Sequence, residues 1–238
     1  MFNLVNKSKK LIQRQLRAHE IYLSRVNQWN GFSLIYEIHR NFLLTCGGIL
    51  HIGAHAGQEA LEYSNLRKEV VWVEAVPEFY DELLRNIKNF PMQKAFCALL
   101  GNKNQKSIEF FIASNNGGSS SVFEFGKESN FQSVRMDRKI QLDMKRMDEV
   151  FTKSDITNHN HWIIDVQGSE LQVLEGAGTL LESCKSIFVE VSLREVYAGG
   201  TTWTELRSFL ELHGFTPIWE PIQGSHCDVL FLKKGLFD

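Results

Sequence analysis

An α/β fold with a mostly parallel sheet and helices on both faces is predicted by three features of the chain. From Gly47 onward, short apolar runs alternate with helix-like segments. The run at residues 70–73 is unbroken and that at 49–52 is interrupted only by His51, as expected of strands buried on both faces. The last two apolar runs, on either side of Gly224 and Ser225, have no helix between them, which predicts an antiparallel pair at the end of the sheet.

Residues 1–45 read as an N-terminal helical extension, and residues 46–238 as the main domain. In the extension Lys7, Lys9, Lys10, Arg14 and Arg17 precede the first acid, Glu20, and interleave with Leu4, Leu11, Leu16, Ile21 and Leu23. That pattern predicts amphipathic helices. Packing as a cap on the domain is the favoured reading; peripheral contact with an anionic membrane surface or an acidic partner is the alternative.

The first strand, residues 49–52, runs into a tight loop bounded by Gly53 and Gly57. A short helix follows, then a second strand ending on Glu74. Pro77 suits a helix start, with Phe79, Leu83, Leu84 and Ile87 on one face. Residues 94–99 read as a third strand and 107–112 as a further one. The polar segment 114–121, SNNGGSSS, is a loop long enough to touch a ligand. Residues 138–147 form another expected strand. Residues 162–166 are the next strand of the sheet, with Asp165 near its end. A helix from Ser169 carries Leu171, Leu174 and Leu181, with Gly176 and Gly178 near its middle. Residues 186–191 close on Glu190. Thr202 and Glu205 make a capping box before a helix that Gly214 terminates.

Composition narrows the function. With 238 residues and 43% hydrophobic content, the chain can bury one substantial core. A net charge of −2 gives no global basic face, so charge alone does not suggest nucleic acid as a partner. Cys46, Cys97, Cys184 and Cys227 match no zinc or C-x-x-C spacing and fit a reducing cytosol. No apolar run approaches the roughly 20 residues of a bilayer span, and the start lacks a signal-peptide pattern. A cytoplasmic location is therefore expected.

The loop and strand around Gly53 predict half of a nucleoside site. Glycine lets the backbone turn sharply beside a ligand. Glu74, 21 residues after Gly53, falls where a ribose would present its hydroxyls. The spacing is G-x-x-x-G, with His55 inside the loop, which argues against a pyrophosphate cradle and for a smaller adenosine-bearing ligand. Gly53, Gly57, Glu74, Ala98, Asp165 and Glu190 all fall at the carboxyl edge of the predicted sheet.

Later segments carry a specific resemblance. IDVQGSELQVLEGAGTLL followed by SIFVEVSLREVY resembles the signature of FkbM-type methyltransferases. HIGAHAGQEA, VVWVEAVPEFYDELLRNI, GGSSSVF and KRMDEV match that family's other blocks in order, over roughly residues 47–233. The resemblance implies a Rossmann-like class I methyltransferase fold with a mostly parallel seven-stranded sheet. It further implies S-adenosyl-L-methionine as cofactor and methyl transfer, commonly to a hydroxyl of a sugar or related product. Two departures stand out. The family usually has an acid in place of His51, where it helps hold the cationic methionine part, and asparagine in place of His55.

These residues yield a candidate site. His51, Gly53, His55, Gly57, Glu74 and Ala98 are expected to bind the cofactor. Asp165 is read as the base for the acceptor hydroxyl, with helix capping and cofactor binding as its alternatives. Ser120, Ser121, Glu190 and Asp228 are candidate substrate contacts. Glu170 is expected to stabilise its helix, and metal dependence stays open. The leading function is O-methylation of a sugar, glycan or glycolipid precursor. Its competitors are methylation of another small metabolite, and a non-catalytic nucleoside- or partner-binding chain that keeps the fold.

Overall fold

The computed structural model describes residues 31–129, 133–221 and 226–235. The basic run at residues 7–17, and the membrane or acidic-partner contact read from it, lie outside the described residues. The described end of the extension is helix α1 (Gly31–Thr45), which packs Leu43 against the sheet. Lys68 secures its last turn by donating to the carbonyl oxygens of Leu44 and Cys46 at 3.2 and 2.6 Å.

The main sheet contains β1 (Ile49–Ile52), β2 (Val70–Glu74), β3 (Gln93–Cys97), β7 (His161–Ile164), β8 (Ser186–Ser192), β9 (Phe215–Pro217) and β10 (His226–Lys233). Their spatial order is β3-β2-β1-β7-β8-β10-β9. The first five in that order run parallel, and β10 pairs antiparallel with both β8 and β9. This is the expected mostly parallel seven-stranded sheet with an antiparallel ending.

Helices α2 (Ala60–Asn65), α3 (Pro77–Ile87), α4 (Met147–Val150), α5 (Lys153–Ile156), α6 (Glu170–Gly176) and α7 (Trp203–Leu212) complete the layers. Successive side chains of a strand point to opposite faces. Leu50, Ile52, Val71, Val73, Trp162 and Ile164 therefore share one core with Leu174 of α6 and Leu206 and Leu210 of α7. Ile49, Val70, Trp72 and Ile163 share the other with Leu43 of α1, Tyr63 of α2 and Leu83 of α3. All residues of β1, β2 and β7 are buried, which explains why these strands are apolar apart from His51, Glu74 and His161.

Three local expectations are corrected. Residues 94–99 are not one strand: β3 stops at Cys97, opposite Glu74, where the chain leaves the sheet edge. Residues 99 and 100 become β4 (Leu99–Leu100), which joins β5 (Gln105–Ala113) and β6 (Met136–Lys145) in a separate sheet of order β4-β6-β5. The helix after Ser169 ends at Gly176, because Gly178 takes a left-handed φ of 51° and a 3-10 turn follows (Gly178–Ser183). On α3, Leu83 and Ile87 are buried, but Leu84 faces solvent.

Candidate active site

The loop after β1 is built around Gly53. Its φ is 85°, and a Cβ there would lie 1.7 Å from the carbonyl oxygen of Asp165, so only glycine lets β1 and the end of β7 approach this closely. Two residues on, His55 also holds a positive φ, 47°. Its backbone N–H donates to Glu74 Oε2 at 2.8 Å, and Val76 N–H donates to Oε1 at 2.8 Å. Glu74 is therefore oriented by the loop it faces, with lone pairs left on both oxygens. Burial pushes its carboxyl above the ordinary range, and the two N–H groups oppose that shift.

The His55 ring joins this loop to the polar segment 114–121. Gln58 Nε2 donates to His55 Nδ1 at 2.9 Å, so Nε2 carries the hydrogen and donates to Asn116 O at 2.8 Å. The ring also packs on Phe79, with centroids 4.4 Å apart. Gly57 points elsewhere: a Cβ there would meet Leu83 at 2.5 Å, so it serves helix packing instead of facing the candidate cofactor.

Two cavities meet at the carboxyl edge of the sheet. The larger, about 390 Å³, lies over the ends of β1 and β2 and is lined by His51, Gly53, His55, Glu74, Ala98 and Ser120. The smaller, about 310 Å³, lies between α1 and the ends of β7, β8 and β10; Tyr36, His39, Arg40, Glu190 and Asp228 line it. His51, Glu59 and Asp165 line both.

His51 is buried against Trp72, with ring centroids 4.8 Å apart, and its Nδ1 lies 3.3 Å from Tyr63 Oη. Burial lowers its pKa to about 4 even though Asp165 opposes the shift, so the ring is neutral near pH 7. It therefore does not set a positive charge against a cationic ligand.

The acidic residues form a connected group. Gln167 Nε2 donates to Asp165 Oδ1 and, at 3.0 Å, to Glu190 Oε2, while the Tyr197 hydroxyl donates to Gln167 Oε1. Burial, followed by the charges of Asp165, Glu170 and Asp228, raises Glu190 to about 9. Burial and Asp165 raise Asp228 to about 6, and its neighbour Tyr36 hydrogen-bonds to it. Glu170 is fully enclosed, accepts the Gly168 N–H at 2.9 Å and is raised to about 7, mainly by burial. It holds the turn that opens α6. Among the described residues, no group of three or more histidine, cysteine or acidic side chains is arranged to hold a metal ion.

The candidate substrate serines separate. Ser120 lines the larger cavity, and its Oγ accepts the Ala113 N–H at 3.1 Å. Ser121 is fully buried; its Oγ donates to Gln167 O at 2.6 Å and accepts the Phe123 N–H at 3.1 Å. That hydroxyl ties the loop to the turn after β7 and does not line either cavity, which corrects its reading as a substrate contact. Sequence reasoning passed over Glu59, Gln167, Tyr36 and Tyr197. Gln167 stood in plain view two residues after Asp165, but its role depends on a φ of 54° that turns its amide back toward two carboxyls.

The FkbM methyltransferase domain matches residues 51–217. The chain belongs to the FkbM methyltransferase family. This FkbM methyltransferase is 25% identical over 199 residues to the 2-O-methyltransferase NoeI of Sinorhizobium fredii, spanning 79% of this chain and 80% of that protein. Magnesium protoporphyrin IX methyltransferase of Synechocystis, solved with bound S-adenosylhomocysteine, superimposes with a TM-score of 0.50 at 6% identity, over 85% of this chain and 81% of that one. That likeness is one of fold.

The FkbM methyltransferase uses S-adenosylmethionine, and the larger cavity fits it. Its volume lies in the range of small-molecule sites. The Gly53 turn leaves the backbone bare at its floor, and Glu74 stands at the tip of β2. Among the described residues no lysine or arginine lines it, while Glu59, Glu74 and Asp165 do, a balance that suits a cationic ligand. When bound, the cofactor supplies a methyl group on positively charged sulfur. Among the described residues, no helix is long and apolar enough to cross a membrane.

Proposed function

We propose that the chain transfers the methyl group of S-adenosylmethionine to a hydroxyl oxygen of a sugar or glycan. The observation that carries this reading is the position of Asp165 on the wall between the two cavities. The larger cavity takes the cofactor, with Glu74 accepting from the ribose hydroxyls and the Gly53 loop beneath its amino-acid arm. The smaller cavity takes the acceptor.

A sugar hydroxyl is a weak nucleophile, and a base that removes its proton as the new bond forms raises the rate. Asp165 is that base, held in place by the Gln167 amide. Glu190, raised to about 9, keeps its proton near neutral pH and offers an O–H to the acceptor, while Asp228 offers a second carboxyl on the neighbouring strand. Carboxyl groups on adjacent strand ends suit a ligand bearing neighbouring hydroxyls. The identity to a 2-O-methyltransferase supports oxygen as the receiving atom. Alignment of the two reactants across Asp165, with water displaced, supplies much of the remaining acceleration.

The test is a panel of neutral glycans and glycolipids incubated with the intact chain and methyl-labelled cofactor. Label is expected on a hydroxyl oxygen. Asp165→Asn is expected to slow transfer about 100-fold or more while leaving cofactor affinity nearly unchanged. Transfer only to amines, or full activity of Asp165→Asn, would refute this reading. Glu74→Ala is expected to abolish most cofactor binding.

A further inference from the structure

The cofactor's amino-acid arm carries an ammonium group, and a mostly buried cation needs an anionic partner. Three carboxylates line the larger cavity: Glu59, Glu74 and Asp165. Glu74 stands at the far end of β2 and is engaged by the N–H groups of His55 and Val76. Asp165 is engaged by the Gln167 amide and is already assigned above as the base for the acceptor hydroxyl. One residue before the end of β1, His51 lines both cavities as a neutral imidazole. Glu59 remains.

Glu59 sits at the end of the loop that Gly53 opens, as the residue before α2. It is half-buried and forms no ion pair among the described residues. Among the described residues Arg40 is the only arginine or lysine lining either cavity, and it pairs with Glu62 at 3.2 Å. Burial raises the Glu59 carboxyl above its ordinary range, although its own backbone N–H and the nearby His55 oppose the shift. The loop thus presents, at the junction of the two cavities, a half-buried carboxylate with no lysine or arginine paired to it among the described residues.

We propose that Glu59 is the counter-ion of the ammonium group on the cofactor's amino-acid arm, supplying from the loop the negative charge that His51 does not supply from β1. This rests on assigning the larger cavity to S-adenosylmethionine. Glu59 thereby sets affinity for the amino-acid end of the cofactor, separately from the nucleoside end held at Glu74.

Calorimetry on the intact chain tests this with S-adenosylmethionine, S-adenosylhomocysteine and 5′-methylthioadenosine, the last of which keeps the nucleoside and sulfur but lacks the amino-acid arm. Glu59→Gln is expected to weaken the first two about tenfold or more, the loss expected when a hydrogen bond between charged groups is removed. Binding of 5′-methylthioadenosine is expected to change less than about twofold. Glu59→Asp is expected to recover part of the affinity. Equal weakening of all three ligands would make Glu59 a support of the loop and overturn the proposal. Unchanged binding of all three would also overturn it. If the unaltered chain binds none of them, the cavity assignment itself fails, and the proposal with it.

Discussion

The imidazoles of His39 and His161 meet nitrogen to nitrogen, with Nε2 atoms 2.9 Å apart, although 122 positions separate them in the chain. One ring must donate and the other accept, so the contact exists only while at least one of them is neutral. His161 Nδ1 completes the chain of bonds at 2.8 Å from Ser186 Oγ, and His39 lies flat on Phe188 with centroids 3.6 Å apart. This is the polar seam by which α1 is fastened to the sheet.

That seam gives stability an acid-sensitive component. Burial holds His161 at about 3 and His39 well below its ordinary value, while unfolding returns both to about 6.5. Between these values the unfolded chain binds more protons, so stability contributed by the pair is complete above about pH 6.5 and falls as pH drops below it, by about 1.4 kcal/mol per pH unit for each ring. His39→Gln keeps a neutral hydrogen-bonding group that does not titrate. Its urea-unfolding stability is expected to be slightly below wild type at pH 7.5 and to gain on wild type steadily toward pH 5. Parallel curves for the two proteins would contradict the seam's protonation states.

Glu190 acts in the opposite sense. Its folded value of about 9 lies above the ordinary 4.5, so the folded chain binds the extra proton and stability is lost as pH rises from about 4.5 through 9. Glu190→Gln resembles the neutral acid and keeps the oxygen that accepts from Gln167. Thermal unfolding is expected to show this variant gaining on wild type between pH 6 and 9, by at most about 1.4 kcal/mol per pH unit. A uniform loss of stability at every pH would show that the carboxyl is ionised in the folded chain.

Gly53→Ala places a methyl group against the Asp165 carbonyl and strains a left-handed backbone. The expected cost exceeds about 3 kcal/mol, with loss of S-adenosylmethionine binding, as read by denaturant unfolding and calorimetry. A variant of wild-type stability would mean that the loop is less tightly placed against β7.

His55→Asn separates backbone comfort from loop anchoring. Asparagine tolerates the positive φ better than histidine, but it cannot span to Asn116 O or cover Phe79. Global stability is expected to change by less than about 1 kcal/mol, whereas amide exchange at residues 114–118 is expected to accelerate. Unchanged protection of that segment would remove His55 from its anchoring role.

The sheet was legible wherever burial on both faces wrote itself as a mostly apolar run, as at β1 and β2. The antiparallel ending followed from the missing helix before β10. The second small sheet was not visible as a separate layer, because β5 and β6 look like any other strands until Cys97 and Leu99 are seen in different sheets. At the site, Gly53, Glu74 and Asp165 were readable because backbone turning and strand tips leave local marks. Glu59 and Gln167 were not, since their significance lies in which distant carboxyl or cavity they face. Tyr36 left no mark at all: its place beside Asp228 depends on how α1 folds back over the sheet.

Helix α1 lies wholly before residue 51, where the family match begins, yet Tyr36, His39, Arg40 and Leu43 line the smaller cavity and none of its residues lines the larger one. Glu190 and Asp228 complete the wall that these residues face, so under the proposed assignment of that cavity to the acceptor its pocket is shared between α1 and the core. On that assignment, changing the α1 side of the pocket alters what the acceptor meets while leaving the lining of the larger cavity as it is. Tyr36, His39, Arg40 and Leu43 are then the positions at which acceptor preference could be varied apart from the cofactor pocket.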